Sequence, residues 1–371
     1  MKTVNGHEII SLFEQFSPKN LALEGDKIGL QIGKLNMKVS NVMIALDVLE
    51  EVVDEAIHND VQLIIAHHPL IYRPLQKLVT DSATGRIIEK LIKHDIAVYA
   101  AHTNLDVAEG GVNDLLAEAL QLTNTEVLVP TYDSELLKLV VYVSVGYEES
   151  LKKALGDAGA GSIGRYSHCS FSSEGKGEFI PLEGTNPFIG TIGKVEQVEE
   201  VRIETVFPAH LEKKVISAMI KAHPYEEVAY DVYPLKNKSK SLGLGKIGKI
   251  QETTLREFAN FVKEVLDVPA VRVVGDLDAM VKKVAVLGGD GNKYIQSASF
   301  KGADVYVTGD MYYHVAHDAM MLGLNIIDPG HNVEKVMKLG VAKKLTEMCN
   351  QKGYNVNIFA STIHTDPFQF V

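Results

Sequence analysis

Five side chains of metal-ligating type stand at the ends of short apolar runs. His67 and His68 follow Val61-Gln-Leu-Ile-Ile-Ala66, and Asp106 closes the segment that begins at Ile96. His331 and Glu334 follow Leu324-Asn-Ile-Ile-Asp-Pro-Gly330. Apolar runs of this length, bounded by loops, read as buried strands. In open α/β sheets, binding groups gather at the carboxyl ends of such strands. Three imidazoles and two carboxylates, with no thiolate, make a nitrogen and oxygen set for two divalent ions. That set suits zinc, manganese, iron or cobalt without choosing among them.

The spacing suggests how the ligands divide. Successive strand residues point to opposite faces, and Pro69 keeps the residue before it extended. His67 and His68 therefore suit two ions side by side, one each. His331 and Glu334, three apart at a helix start, share a face. The helix N-terminus there favours negative ligands. Asp106 and Glu334 are the candidate bridging carboxylates. Two ions bring four positive charges against two, so the centre should attract an anionic oxygen or a phosphate. Water between metals roughly 3.5–4 Å apart is acidified and becomes a nucleophile. His102 is the candidate catalytic residue, as a proton carrier; it could instead orient a ligand or be a hydrogen-bonded core histidine. Taken singly, each residue has a structural reading: a surface pair, a capping Asp, a helix-start Glu. Their shared place at strand ends favours the metal.

Other polar groups carry less. His364 could touch substrate or only close a terminal loop, and Asp26 could line the pocket or form a turn. Asp310, His314 and His317, beside Tyr312 and Tyr313, read as helix packing. His223, in His223-Pro-Tyr-Glu-Glu227, reads as part of its own local structure. Gly288-Gly-Asp-Gly291 has neither a Walker nor a dinucleotide pattern.

Elements that could position these residues alternate along both ends of the chain. Strands are predicted at 42–48, 63–66 and 96–101, with helices at 50–58 and 112–120. A helix capped by Ser82 should bury Ile87, Ile88, Leu91 and Ile92 on one face. Towards the C-terminus, strands are predicted at 284–287, 305–308, 324–327 and 357–360, with a helix from about 332 to 348. Between these segments the order changes. A strand at 136–145, a helix at 148–157, hairpin and loop at 159–190, a strand at 201–206, a helix at 209–222 and a strand at 228–235 give βαββαβ, a ferredoxin-like unit. Lys236-Asn-Lys-Ser-Lys240 reads as a polar exit linker. The expected organisation is an α/β core domain made of residues 1–132 and 239–371, interrupted by an inserted domain at 133–238. The metal ligands require this, because neither outer segment alone completes the set.

Composition sets the boundaries. At 371 residues, 46% hydrophobic and 23% charged, the chain has the make-up of an ordinary globular protein. A net charge of −11 argues against a broad nucleic-acid or membrane surface. Cys169 and Cys349 show no CxxC spacing, which fits a reducing cytoplasm. The start, Met1-Lys-Thr-Val-Asn-Gly-His-Glu, lacks the apolar core of a signal peptide. No apolar run is long enough for a membrane span.

Ala66-His-His-Pro69, His102-Thr-Asn-Leu-Asp106 and Gly330-His-Asn-Val-Glu334 together resemble the Nif-three-like family, labelled GTP cyclohydrolase I type 2 homologues. Gly25-Asp-Lys-Ile-Gly-Leu-Gln31 and Thr365-Asp-Pro-Phe368 are similar to it as well. The resemblance spans essentially the whole chain. It implies a Nif-three-like α/β core with a PII/CutA-like insert, and a dinuclear site on His67, His68, Asp106, His331 and Glu334. It also implies a ring-shaped homohexamer with its sites facing an internal cavity. Members commonly carry Trp before the early Asp, whereas this chain reads Glu24-Gly-Asp26 and has no Trp. The expected cofactors are two divalent ions per subunit, zinc first, with iron and manganese as alternatives. The expected function is a metal-dependent hydrolase acting on a phosphate-bearing or purine-derived small molecule. The rival reading is a non-catalytic metal- or ligand-binding regulatory or scaffold protein.

Overall fold

Leu63-Ile-Ile-Ala66 is fully buried, and its side chains divide between two apolar clusters. Leu63 and Ile65 face one, while Ile64 and Ala66 face the other. A strand covered on both faces reads as an unbroken apolar run, as parallel strands inside α/β layers do. The structure is a computed structural model that describes residues 4–371, the side chains of residues 134 and 238–240 excepted.

This strand lies in a five-stranded sheet ordered Asn357–Ala360, Asn41–Ala45, Leu63–Ala66, Ala97–Ala100, Gly29–Ile32. The first four run parallel and the last is antiparallel. Helices Glu50–His58 and Ala83–Lys93 bury their apolar stripes on one face. Helices Gly6–Phe16, Val112–Ala119 and Val336–Gln351 contribute to the cluster on the other. A second sheet places Arg272–Val274, Asn325–Asp328, Val305–Gly309 and Met280–Asp290 side by side. Of these four, Asn325–Asp328, Val305–Gly309 and Met280–Asp290 are parallel to one another. Val284, Val286 and Val307 of this sheet belong to the same cluster as Leu63 and Ile65. The two outer segments, Met1–Tyr132 and Leu242–Val371, thus form one compact unit around a shared core.

Asp133–Ser241 forms a second compact unit. Its elements run strand, helix, strand, strand, helix, strand. The end of Thr123–Ser144 pairs antiparallel with Glu196–Pro208, which pairs antiparallel with Ser170–Phe179. Tyr230–Thr254 lies on the other side of Thr123–Ser144 in the sheet order. Helices Glu148–Asp157 and Glu212–Ala222 supply Leu151, Leu155, Val215 and Met219 to a core of the unit's own.

Several local expectations change. Residues 236–240 are not a linker: they lie inside the strand Tyr230–Thr254. Lys236 and Asn237 are exposed there, and polar composition alone does not exclude a strand. The stretch expected to be hairpin and loop does supply one strand, Ser170–Phe179, paired with Glu196–Pro208. Asp106 does not end a strand; it sits in a short helix, Thr103–Val107. Residues 331–335 form a 3-10 turn before the α-helix Val336–Gln351. Ser82 does cap its helix, accepting from the Gly85 amide at 3.1 Å. Ile92, however, is 59% exposed, so that helix's buried stripe is narrower than the spacing suggests. Among the described residues, no helix is long and apolar enough to cross a membrane.

Candidate metal centre

All five expected ligands, and His102, meet in the unit formed by the outer segments. Three triplets have donor atoms within 4.8 Å of one another: His67, His68 and His102; His68, His331 and Glu334; His67, Asp106 and Glu334. Glu334 Oε2 lies 3.0 Å from His68 Nε2, 3.2 Å from His331 Nε2 and 3.7 Å from His67 Nε2. His67 Nε2 is 3.6 Å from Asp106 Oδ1. Glu334 is therefore shared between two triplets, whereas Asp106 belongs to one. Of the two expected bridging carboxylates, Glu334 has one oxygen within 3.7 Å of three imidazoles, and Asp106 has one oxygen 3.6 Å from His67 Nε2.

Local structure explains the convergence. His67 and His68 lie just beyond the strand that ends at Ala66, where the chain bends. Their rings stand 5.1 Å apart and tilted, instead of on opposite faces of a strand. His331 and Glu334 occupy the 3-10 turn, in which residues three apart eclipse each other. Gly289, at φ +65°, leaves room for them: a Cβ there would sit 2.6 Å from Glu334 Oε1. Asn113 joins the halves, donating to the Asp106 carbonyl at 3.0 Å and accepting from the Gly288 amide at 3.0 Å.

Each imidazole is held from behind by its Nδ1. His67 faces the Ala101 carbonyl at 2.9 Å, and His68 faces Asp47 at 2.7 Å. His102 faces Asp26 at 2.8 Å, and His331 faces Asp310 at 2.6 Å. Such partners fix the tautomer and ring orientation of metal-binding histidines. Asp47 and Asn113 are not among the residues the sequence singles out; Asp310, expected to pack, and Asp26, expected to line the pocket or form a turn, both hold a histidine ring. One signal was present: Asp47 and Asp310 each follow an apolar strand, as His67 does. His314 and His317 are exposed beside the Tyr313 ring and take no part. His364 is also exposed, but its neighbour Thr365 hydrogen-bonds Asp47.

The electrostatics call for positive charge. Burial opposes ionisation of Glu334, yet the His67 charge and bonds from the surrounding imidazoles hold its carboxyl well below the usual range. Burial pushes Asp106 up to about 6, against the pull of His67. Burial alone would lower His68, but bonds to Asp47 and Glu334 raise it to about 10. The Glu334 bond, opposed by burial, leads in raising His331 to about 9. His67 is raised as well, where burial is outweighed by the Asp106 and Glu334 charges. The carboxylates thus favour positive charge on all three imidazoles. His67 Nε2 and Asp106 Oδ1 are buried and lack a hydrogen-bond partner among the described residues. Unpaired buried polar atoms are costly, and a shared cation would satisfy both. The residues present fit divalent metal ions.

Similarity to known proteins extends over the whole chain. The Duf34/NIF3 (NGG1p interacting factor 3) family matches residues 4–367. A Bacillus subtilis (strain 168) protein named GTP cyclohydrolase 1 type 2 homolog is 67% identical over 371 residues, covering 100% of both chains. The crystal structure of a Bacillus cereus protein related to NIF3 has a TM-score of 0.96 at 68% identity, over 100% of both chains. A Staphylococcus aureus crystal structure has a TM-score of 0.77 at 35% identity, again over 100% of both chains. With the family match running nearly end to end, and relatives this similar over their full lengths, the chain belongs to the Duf34/NIF3 family.

Proposed function

We propose that the protein binds two divalent metal ions per subunit through His67, His68, Asp106, His331 and Glu334, and that it is a metal-dependent hydrolase. Its substrate would be a phosphate-bearing or purine-derived small molecule. One observation carries the reading: a single buried carboxylate, Glu334, stands within reach of three imidazoles from both halves of the unit. Zinc is the first candidate, with iron and manganese next, since the donor set suits all three. Bound divalent ions supply Lewis acidity and make water a stronger acid at neutral pH.

The chain's own residues do the rest. Asp47 and Asp310 keep the His68 and His331 rings aimed inward. Asp26 holds Nδ1 of His102, leaving the other ring nitrogen to take and return a proton. The name carried by the Bacillus subtilis relative makes GTP the first substrate to test. Protein reconstituted with zinc, manganese or iron should turn over at least one nucleotide or phosphoester. His68→Ala and Glu334→Ala should abolish that turnover. Inactivity with every metal across a broad panel would reject the hydrolase. Elemental analysis, with about two ions per subunit expected, judges the metal centre separately.

The resemblance adds a ring-shaped homohexamer in the cytoplasm, with its sites facing an internal cavity. Sedimentation of the full chain at six times its monomer mass would support it, and a monomer at working concentration would reject it. The βαββαβ order of the inserted unit supports the ferredoxin-like, PII/CutA-like assignment. That unit also favours the second reading, a regulatory or scaffold protein, because it carries its own core and its own cavity. A ligand that alters partner binding without being consumed would favour this alternative.

A further inference from the structure

The segment His223-Pro-Tyr-Glu-Glu227 plays no part in the metal centre. It helps wall a cavity of about 380 Å³ in the inserted unit. His223 is buried, its Nε2 donates to the Tyr142 carbonyl at 2.9 Å, and its Nδ1 accepts from the Tyr225 amide at 3.1 Å. Both ring nitrogens are used, so this imidazole is a neutral brace. Its ring packs edge-on against Tyr225 at 5.0 Å. The Tyr225 hydroxyl accepts from Ser144 at 2.6 Å and donates to Glu200 Oε1 at 2.9 Å. Gly177 gives that carboxylate room, since a Cβ there would lie 2.2 Å from Glu200 Oε2.

Aromatic rings complete the walls. Phe188 and Phe179 lie 6.1 and 6.4 Å from Tyr225, centroid to centroid. The 180–195 connection that brings Phe188 in is fastened by Glu226, which accepts from the Asn186 amide at 2.9 Å. Glu178 and Glu227 bring the lining carboxylates to four, and no lysine or arginine lines the cavity among the described residues. Four carboxylates repel phosphates and other anions. Aromatic faces attract cations, most strongly when water is excluded. A bare inorganic cation would need only the carboxylates, while a neutral apolar ligand would need only the rings.

We propose that this cavity binds a small organic ammonium, with its charge at Glu200 and its apolar body between Phe179, Phe188 and Tyr225. The proposal does not depend on the metal-centre reading, because every lining residue belongs to the inserted unit. Isothermal titration of the full, metal-loaded chain with phenethylammonium, 2-phenylethanol and phenylacetate tests it. The ammonium should bind about tenfold or more tighter than the alcohol, with no binding of the carboxylate. Glu200→Gln keeps an acceptor for Tyr225 and should weaken the ammonium about tenfold. Phe188 is 47% exposed. Phe188→Ala should therefore weaken binding several-fold without moving the thermal midpoint or metal content. Equal affinity for amine and alcohol, or full affinity in Glu200→Gln, overturns the proposal. So does a failure to bind phenethylammonium, tetramethylammonium and spermidine alike.

Discussion

Replacing Glu334 with Gln keeps its shape and removes the charge that His67, His68 and His331 face. Glu334 is only 3% exposed, so little solvent screens the loss. Breaking a buried charge cluster on one side costs about 3–5 kcal/mol. Metal-free Glu334→Gln should therefore be less stable by about that amount in chemical denaturation. It should also hold fewer ions per subunit by elemental analysis. Asp47→Asn and Asp310→Asn act differently, since they touch only the far side of an imidazole. Each should lower metal affinity about 10–100-fold in chelator competition. Unchanged affinity in both would mean that these carboxylates do not orient the rings. Asp47 and Asp310 each stand just beyond a strand, but nothing local pairs them with a particular imidazole. Asp310 stands 21 residues from His331, and a hydrogen bond across that distance leaves no local pattern. The candidate ligands His67 and His68 could be singled out because they stand just beyond an apolar run, whereas Asp106 lies within the short helix Thr103–Val107.

At the scale of elements, the tail after Asn357–Ala360 is tied to helix Glu50–His58 by one carboxylate. Glu55 accepts from the Thr362 amide at 2.8 Å, from the Thr362 hydroxyl at 2.6 Å and from the Ser361 hydroxyl. Burial works against the Glu55 anion, but these bonds hold its carboxyl below the usual glutamate value of 4.5. The stability this carboxylate contributes is fully present above 4.5 and is lost as pH falls through its lower folded value. The exchange protection of the Thr362 amide should therefore drop in acid before the core opens. Glu55→Gln should remove that pH dependence, and an unchanged profile in the variant would refute the tie. Strands such as Leu63–Ala66 were readable because burial on both faces leaves unbroken apolar runs. Thr103–Val107 was not, because five residues are too few to show a helical period. Gly6–Phe16 was missed although its capping box, Asn5 with Glu8, is written in the sequence. Asn357–Ala360 was readable as a strand. Its parallel partner, Asn41–Ala45, begins 316 residues earlier, and apolar pattern reports burial without naming neighbours.

On the scale of the whole molecule, the inserted unit begins and ends at one place. The Ser241 hydroxyl donates to Asp133 at 2.6 Å, so the entering and leaving chains lie side by side. Insertions with adjacent ends disturb their host little. Replacing residues 133–241 by a short Gly-containing turn should thus leave a folded protein with its full metal content. Elemental analysis and a cooperative melt check this, and loss of the ions would show that the centre needs the insert. The same excision should abolish ammonium binding. The ends of the metal cluster are far apart along the chain, with His68 and Glu334 separated by 266 residues. During translation the first histidines therefore emerge long before the carboxylate that joins them to the rest. On the proposed two-ion reading, a nascent chain halted before residue 331 holds His67, His68, His102 and Asp106 but lacks His331 and Glu334, so the full set would assemble only when synthesis is nearly finished.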